Sequence, residues 1–127
     1  CIASLCFTAD GKISSYYSNE IKGDIAKEYP DVKIIMAHSG FMDSTPEAVA
    51  VAKECSNIYL AHESGISGGV VQSLKELGAE RILMGTDTPY WDFEVQLKKI
   101  EVAVPDENDR KKIMGENIAK ILKLDIK

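Results

Sequence analysis

Three short apolar runs each end in a cluster of ionisable or hydrogen-bonding residues. Val32–Ala37 leads into His38-Ser39-Gly40, Ile58–Ala61 into His62-Glu63-Ser64, and Ile82–Gly85 into Thr86-Asp87-Thr88-Pro89. Asp87, flanked by two threonines after so apolar a run, would be desolvated unless a cation or hydrogen-bond donors met it. That points to a functional role, with capping of the following loop or helix as the alternative. His38 suits a metal ligand or a general acid/base, and Gly40 just beyond it would let a substrate approach the backbone. A structural histidine bonded to the next loop is the other reading. His62 and Glu63 are adjacent, so on a strand they face opposite ways and at most one aims into a given site. Cys6 reads as a thiolate ligand or as a small buried hydrophobe. Tyr90 and Trp91, just after Asp87, either line a pocket wall or pack under the last helix. Gly65–Gly69 lacks both GxGxxG and a P-loop lysine, and reads as a mobile loop.

The three runs start about 25 residues apart, the length of one strand, one helix and two loops. A parallel α/β protein keeps its chemistry at the C-terminal ends of its strands, where both histidines and Asp87 fall. Cys1–Phe7 is a candidate strand closed by Ala9-Asp10-Gly11. Tyr17, Ile21 and Ile25 recur every four residues and predict a helix over 14–29, weakened at Gly23 and ended by Pro30. Val32–Ala37 reads as a strand buried on both faces. Ser44-Thr45-Pro46-Glu47 predicts a hydroxyl-capped helix start, with Val49, Ala52 and Cys55 facing inward. Helices are further expected over 70–77, stopped by Gly78, and over 93–104, with Val95, Leu97, Ile100 and Val104 inward. Asp106 caps a last helix over 107–124 carrying Ile113, Asn117, Ile121 and Leu124 on one side.

The chain has 127 residues, enough for one domain with a real core. A formal net charge of −5 argues against a nucleic-acid surface, which needs a basic stripe. No apolar run approaches the roughly 20 residues of a membrane span. Three cysteines without CxxC spacing give neither a disulfide framework nor a zinc ribbon, so a reducing cytoplasm is the expected compartment. The sequence opens on Cys1 inside an apolar run, which reads as a fragment of a longer chain.

Four segments, in order, resemble the amidohydrolase-related proteins, metal-dependent hydrolases and decarboxylases built on a TIM-like barrel. Tyr29–Gly40 looks like their sixth-strand segment and Ser56–Leu60 their seventh. Glu80–Pro89 is similar to the eighth-strand signature ending Gly-Ser/Thr-Asp-x-Pro, and Gly115–Leu122 resembles the C-terminal helix. The resemblance implies parallel βα units forming strands five to eight of a (β/α)8 barrel, a single half-barrel domain over 1–127. It implies that Asp87 binds a divalent metal, with zinc the expected ion, and helps deprotonate the attacking water. His38 would be the acid/base or a further metal contact. The first-strand His-x-His pair and the fourth-strand ligand are not in this sequence, and neither Cys6 nor Phe7 is the expected fifth-strand histidine. Cys6 would then be a substitute zinc ligand.

The expected function is therefore metal-dependent hydrolysis of a small carbonyl substrate by metal-activated water, or decarboxylation by the same family's chemistry. A non-catalytic half-barrel or assembly module is the alternative, and a small doubly wound domain of flavodoxin or receiver type is a third. The partner is a small molecule, not nucleic acid or membrane, and open barrel edges would favour a homo-oligomer.

Overall fold

The computed structural model of the chain describes residues 19–39 and 44–125. Three short strands, β1 (Ile34–Met36), β2 (Ile58–Ala61) and β3 (Ile82–Leu83), form one parallel sheet in the order β1-β2-β3. Ile34 pairs with Ile58, Met36 with Leu60, and Leu60 in turn with Ile82. The ladder runs on past the strands. Ser39 N–H donates to Ala61 O and His62 N–H to Leu83 O, both at 3.1 Å, which ties the three polar ends together at one edge.

Helices α1 (Asn19–Glu28), α2 (Thr45–Glu54), α3 (Ser67–Leu77) and α4 (Phe93–Ala103) alternate with the strands and follow the last of them. All cover the same face of the sheet. Ile34, Met36, Ile58 and Leu60 pack against Ala26, Ala48, Val49 and Ala52, while Ile82 packs against Val70, Ile100, Ala103, Val104 and Ile113. Ile35 and Tyr59, on the other face, are only half-buried. A sheet with every helix on one side is curved like a barrel wall, and its other face is a barrel interior.

The N-terminal ends of the strands are pinned by side chains on carbonyls. Asn57 Nδ2 lies 3.1, 3.0 and 2.9 Å from the carbonyl oxygens of Ala26, Tyr29 and Val32. Arg81 donates from Nε to Ile58 O at 2.7 Å and from Nη2 to Ala52 O at 3.0 Å and Cys55 O at 2.8 Å. Asn117 Nδ2 donates to Ala79 O at 2.7 Å and Ile82 O at 2.9 Å. Each side chain bridges carbonyls at helix ends and turns, and at Tyr29, Cys55 and Ala79 it adds a second donor to one from the backbone. This end of the sheet is built for stability.

The C-terminal helix consists of α5 (Glu107–Lys111), a π turn (Lys112–Glu116) and α6 (Asn117–Leu122). The wider turn leaves Ile113 O able to accept from Met84 N–H at 2.9 Å, which fastens the helix to the end of β3. Asp106 caps it as expected, accepting from Asp109 N–H at 2.9 Å.

Several expectations are corrected. Gly23 is no weakness: a Cβ there would stand 2.8 Å from Val51 Cγ1, so the residue is the point where α1 and α2 touch. The strand at Val32 is not buried on both faces, since Val32 is exposed and Ile35 half-exposed. Ser44 offers its carbonyl, not its hydroxyl, to α2. Ser67, Gly68 and Gly69 belong to the first turns of α3 and not to a loop. Ile100 and Val104 are buried as expected, but Gln96 and Ala103 complete the inward side of α4 and Val95 is exposed. Gln96 can be buried because it accepts a hydrogen bond from Lys99. Leu124 is exposed because the helix ends at Leu122 with Lys123 left-handed. The candidate strand at Cys1–Phe7, and Cys6 with it, lie outside the described residues.

Candidate active site

β1 and β3 leave the sheet in the same way. His38 and Asp87 have φ of 56° and 54°, the left-handed region that residues with a Cβ seldom occupy. Such a conformation costs on the order of 1–3 kcal/mol, and it persists only where the surroundings impose it. For His38 the surroundings are Glu63 and Ser64, just beyond β2. Glu63 Oε2 accepts from the His38 backbone N–H at 2.7 Å, and Ser64 Oγ lies 3.2 Å from His38 Nδ1. A charged acceptor on an amide is worth about 1.5–3 kcal/mol, enough to offset the backbone cost.

On the other side, the stem of Glu63 lies over Gly85, where a Cβ would stand 2.3 Å from Glu63 Cγ. Glu63 therefore crosses the C-terminal ends of all three strands. Burial pushes its carboxyl above the usual range, against the lowering effect of the His38 backbone bond, and nearby Asp87 adds to the rise. Asp87 itself begins a turn closed by Tyr90 N–H on Asp87 O at 2.9 Å. Thr88 Oγ1 bonds Trp91 O at 3.4 Å, and Tyr90 and Trp91 are exposed, so neither packs under a helix.

His62 turns the opposite way. It shares the parity of Ile58 and Leu60 and is buried beneath α3, with Nε2 2.9 Å from Ser73 Oγ. Its Nδ1 has no hydrogen-bond partner among the described residues. Burial, helped by the Lys99 charge, lowers its pKa to about 4, so the ring is neutral at ordinary pH. Lys99 Nζ donates to His62 O at 2.7 Å and holds the backbone at this point. Of the adjacent pair, Glu63 reaches the site and His62 does not. Residue spacing already limited the choice to one of them; only the packing of α3 says which.

His38, Glu63 and Asp87 thus gather at one end of the sheet, two carboxylates beside an imidazole. Among the described residues, no group of three or more His, Cys, Asp or Glu is arranged to hold a metal ion. The donor chemistry does fit a divalent cation. A carboxylate buried beside another carboxylate gains from a positive charge placed between them, and imidazole with carboxylate oxygen suits manganese or zinc. A separate cavity of about 510 Å³ opens at the other end of the strands, lined by Lys33, Tyr59, Arg81 and Lys120 among others. It lies with the pinning residues, away from the three ionisable strand ends. No helix among the described residues is long and apolar enough to cross a membrane.

A parallel sheet with helices on one face and polar groups at its C-terminal end defines a portion of a TIM barrel. Solved structures agree. An uncharacterised TIM-barrel protein from Bordetella bronchiseptica superposes with a TM-score of 0.72 at 21% identity, over 91% of this chain and 43% of that one. A dihydroxybenzoic acid decarboxylase from Polaromonas sp. JS666, with bound manganese and the inhibitor 2-nitroresorcinol, superposes with a TM-score of 0.64 at 25% identity, over 87% and 40%. The 5-carboxyvanillate decarboxylase of Sphingomonas paucimobilis gives 0.62 at 18% identity, over 89% and 40%. The chain thus spans well under half the length of these proteins. The sequence model of the amidohydrolase family matches residues 16–124, and the chain belongs to that family. No curated protein matches it in sequence.

Proposed function

We propose that this chain carries the C-terminal half of the active site of a divalent-metal enzyme acting on a small carboxylate or carbonyl substrate. The observation that supports this most is the convergence of His38, Glu63 and Asp87 at the strand ends, with both outer residues held left-handed. Asp87 would hold the metal, with His38 as a second contact or as the acid/base beside it. Bound there, a divalent ion would supply Lewis-acid polarisation of a substrate oxygen. His38 would hold and move the proton at its imidazole, and Glu63 would keep that imidazole in place.

Two reactions share this arrangement. Decarboxylation of a small aromatic acid is favoured by the manganese-bound dihydroxybenzoic acid decarboxylase to which the chain is similar. His38 would then deliver a proton to the carbon that loses CO2. Hydrolysis of an amide, ester or lactone is favoured by the family match, and His38 would then exchange protons with water and leaving group. Zinc and manganese are both compatible with the donors.

The test uses the full-length protein, purified without chelator. Stoichiometric zinc or manganese, and turnover that chelation abolishes and metal restores, is the expected result. Release of CO2 from hydroxybenzoates would select decarboxylation, and turnover of lactones or amides would select hydrolysis. Absence of bound metal together with inertness toward both panels would overturn the proposal in favour of a non-catalytic half-barrel.

A further inference from the structure

Two neighbouring residues at the end of β2 hold one residue at the end of β1, each at a different point. Glu63 takes the backbone of His38 through its N–H at 2.7 Å, and Ser64 takes the ring through Nδ1 at 3.2 Å. Ser64 is 2% exposed, so its hydroxyl has little access to water and the imidazole is its natural partner. Gly85 leaves the lane through which the Glu63 stem passes. The pair holds His38 at two points, the main chain at φ 56° and the ring at Nδ1.

We propose that Glu63 and Ser64 are positioning residues for His38. Glu63 keeps the main chain left-handed where β1 ends, and Ser64 engages Nδ1 so that the imidazole meets substrate or metal through Nε2. The assignment rests on the reading of His38 as a reacting group, but the geometry it describes does not depend on a metal. A histidine with one ring nitrogen bonded to a buried hydroxyl has a fixed ring orientation, whichever of the two atoms carries the proton.

The test is nitrogen-detected NMR of the full-length protein labelled in histidine, with His38 and His62 assigned through His38→Gln and His62→Gln. In the native protein the His38 Nδ1 signal is expected at the shift of a hydrogen-bonded ring nitrogen. Ser64→Ala should move that signal, while Ser64→Thr, which keeps the hydroxyl, should restore it. Glu63→Ala should move the His38 amide proton and speed its exchange with solvent, and Glu63→Gln, which keeps an acceptor oxygen, should not. Unchanged His62 signals, from a ring turned the other way under α3, report that each variant is folded. If Glu63→Ala unfolds, the Ser64→Ala and Glu63→Gln results still decide.

Unaltered His38 ring signals in Ser64→Ala would overturn the proposal. So would a loss of manganese affinity in Glu63→Gln as large as in Asp87→Asn, which would make Glu63 a ligand. Turnover, once a substrate is in hand, should fall about 10–100-fold in Ser64→Ala, as for other residues that orient a working histidine. Manganese titration gives a separate reading. If the ion fails to broaden the His38 ring, the metal assignment falls and the positioning proposal stands on the Nδ1 shift data.

Discussion

The side chain of Glu63 occupies the space that any side chain on Gly85 would need: a Cβ at position 85 would lie 2.3 Å from Glu63 Cγ and 3.0 Å from its Cδ. The atoms in the way are the stem of a half-buried residue and not a floppy tip, so it must move as a whole. Gly85→Ala is therefore expected to displace Glu63 from His38 and to destabilise the protein by about 1–3 kcal/mol, the range for overpacking. Urea unfolding checks the size. A double mutant with Glu63→Ala should recover most of the loss, because the obstruction is gone. Equal losses with and without the Glu63 side chain would show that the two do not compete for space.

Asp87→Asn keeps the size of the side chain and removes its charge. In the full-length protein it should abolish turnover and weaken manganese binding at least tenfold, about 1.4 kcal/mol or more, measured by titration calorimetry. His38→Ala should cost turnover more than affinity. If instead affinity falls and the chemical step is spared, His38 is a metal ligand before it is an acid/base.

His62 should make the protein sensitive to mild acid. Its folded pKa lies near 4 against 6.5 for the exposed ring, so the folded state resists protonation that the unfolded state accepts. The stability it confers is fully present above pH 6.5 and is lost as pH falls toward 4, by at most about 3 kcal/mol. Urea midpoints across that window test this. His62→Gln, which cannot ionise, should flatten the profile; parallel profiles for the two proteins would mean that the ring is not buried in its neutral form.

Asn117→Ala should strand Ile82 O, at about 1–3 kcal/mol for a buried acceptor left without a donor, whereas Ala79 O keeps the Ile82 N–H. Its side chain works at the end of the sheet away from His38, so metal affinity should be unchanged in the folded variant. A loss of affinity without a loss of stability would contradict that separation.

His38 and Asp87 were legible as site candidates because each is the first ionisable group after an apolar run, and both strand ends are where expected. Glu63 was not separable from His62. Ile58–Ala61 is apolar on both parities, so nothing in it says which face meets helices, and that information lies in Ser73 and Val70 of α3. The inward side of α4 was legible only in part, at Ile100 and Val104, for a related reason. Gln96 and Ala103 line its inner face, one polar and one small, whereas exposed Val95 and Val102 look like core. The carbonyl-pinning roles of Asn57, Arg81 and Asn117 were invisible too, because each joins segments 23 or more residues apart. No local pattern reports that.

The opposed directions of His62 and Glu63 make the four residues of β2 a frame that must be kept in phase. Deleting or inserting one residue between Ile58 and Ala61 would swap the pair. A carboxylate would be driven under α3 against Ser73, and an imidazole would be swung toward Asp87. Such a chain would differ by one residue in composition and keep all three strand-end signatures, yet it would lose the clamp on His38. In this fold a single-residue length change in β2 is thus more damaging to the site than most substitutions within it.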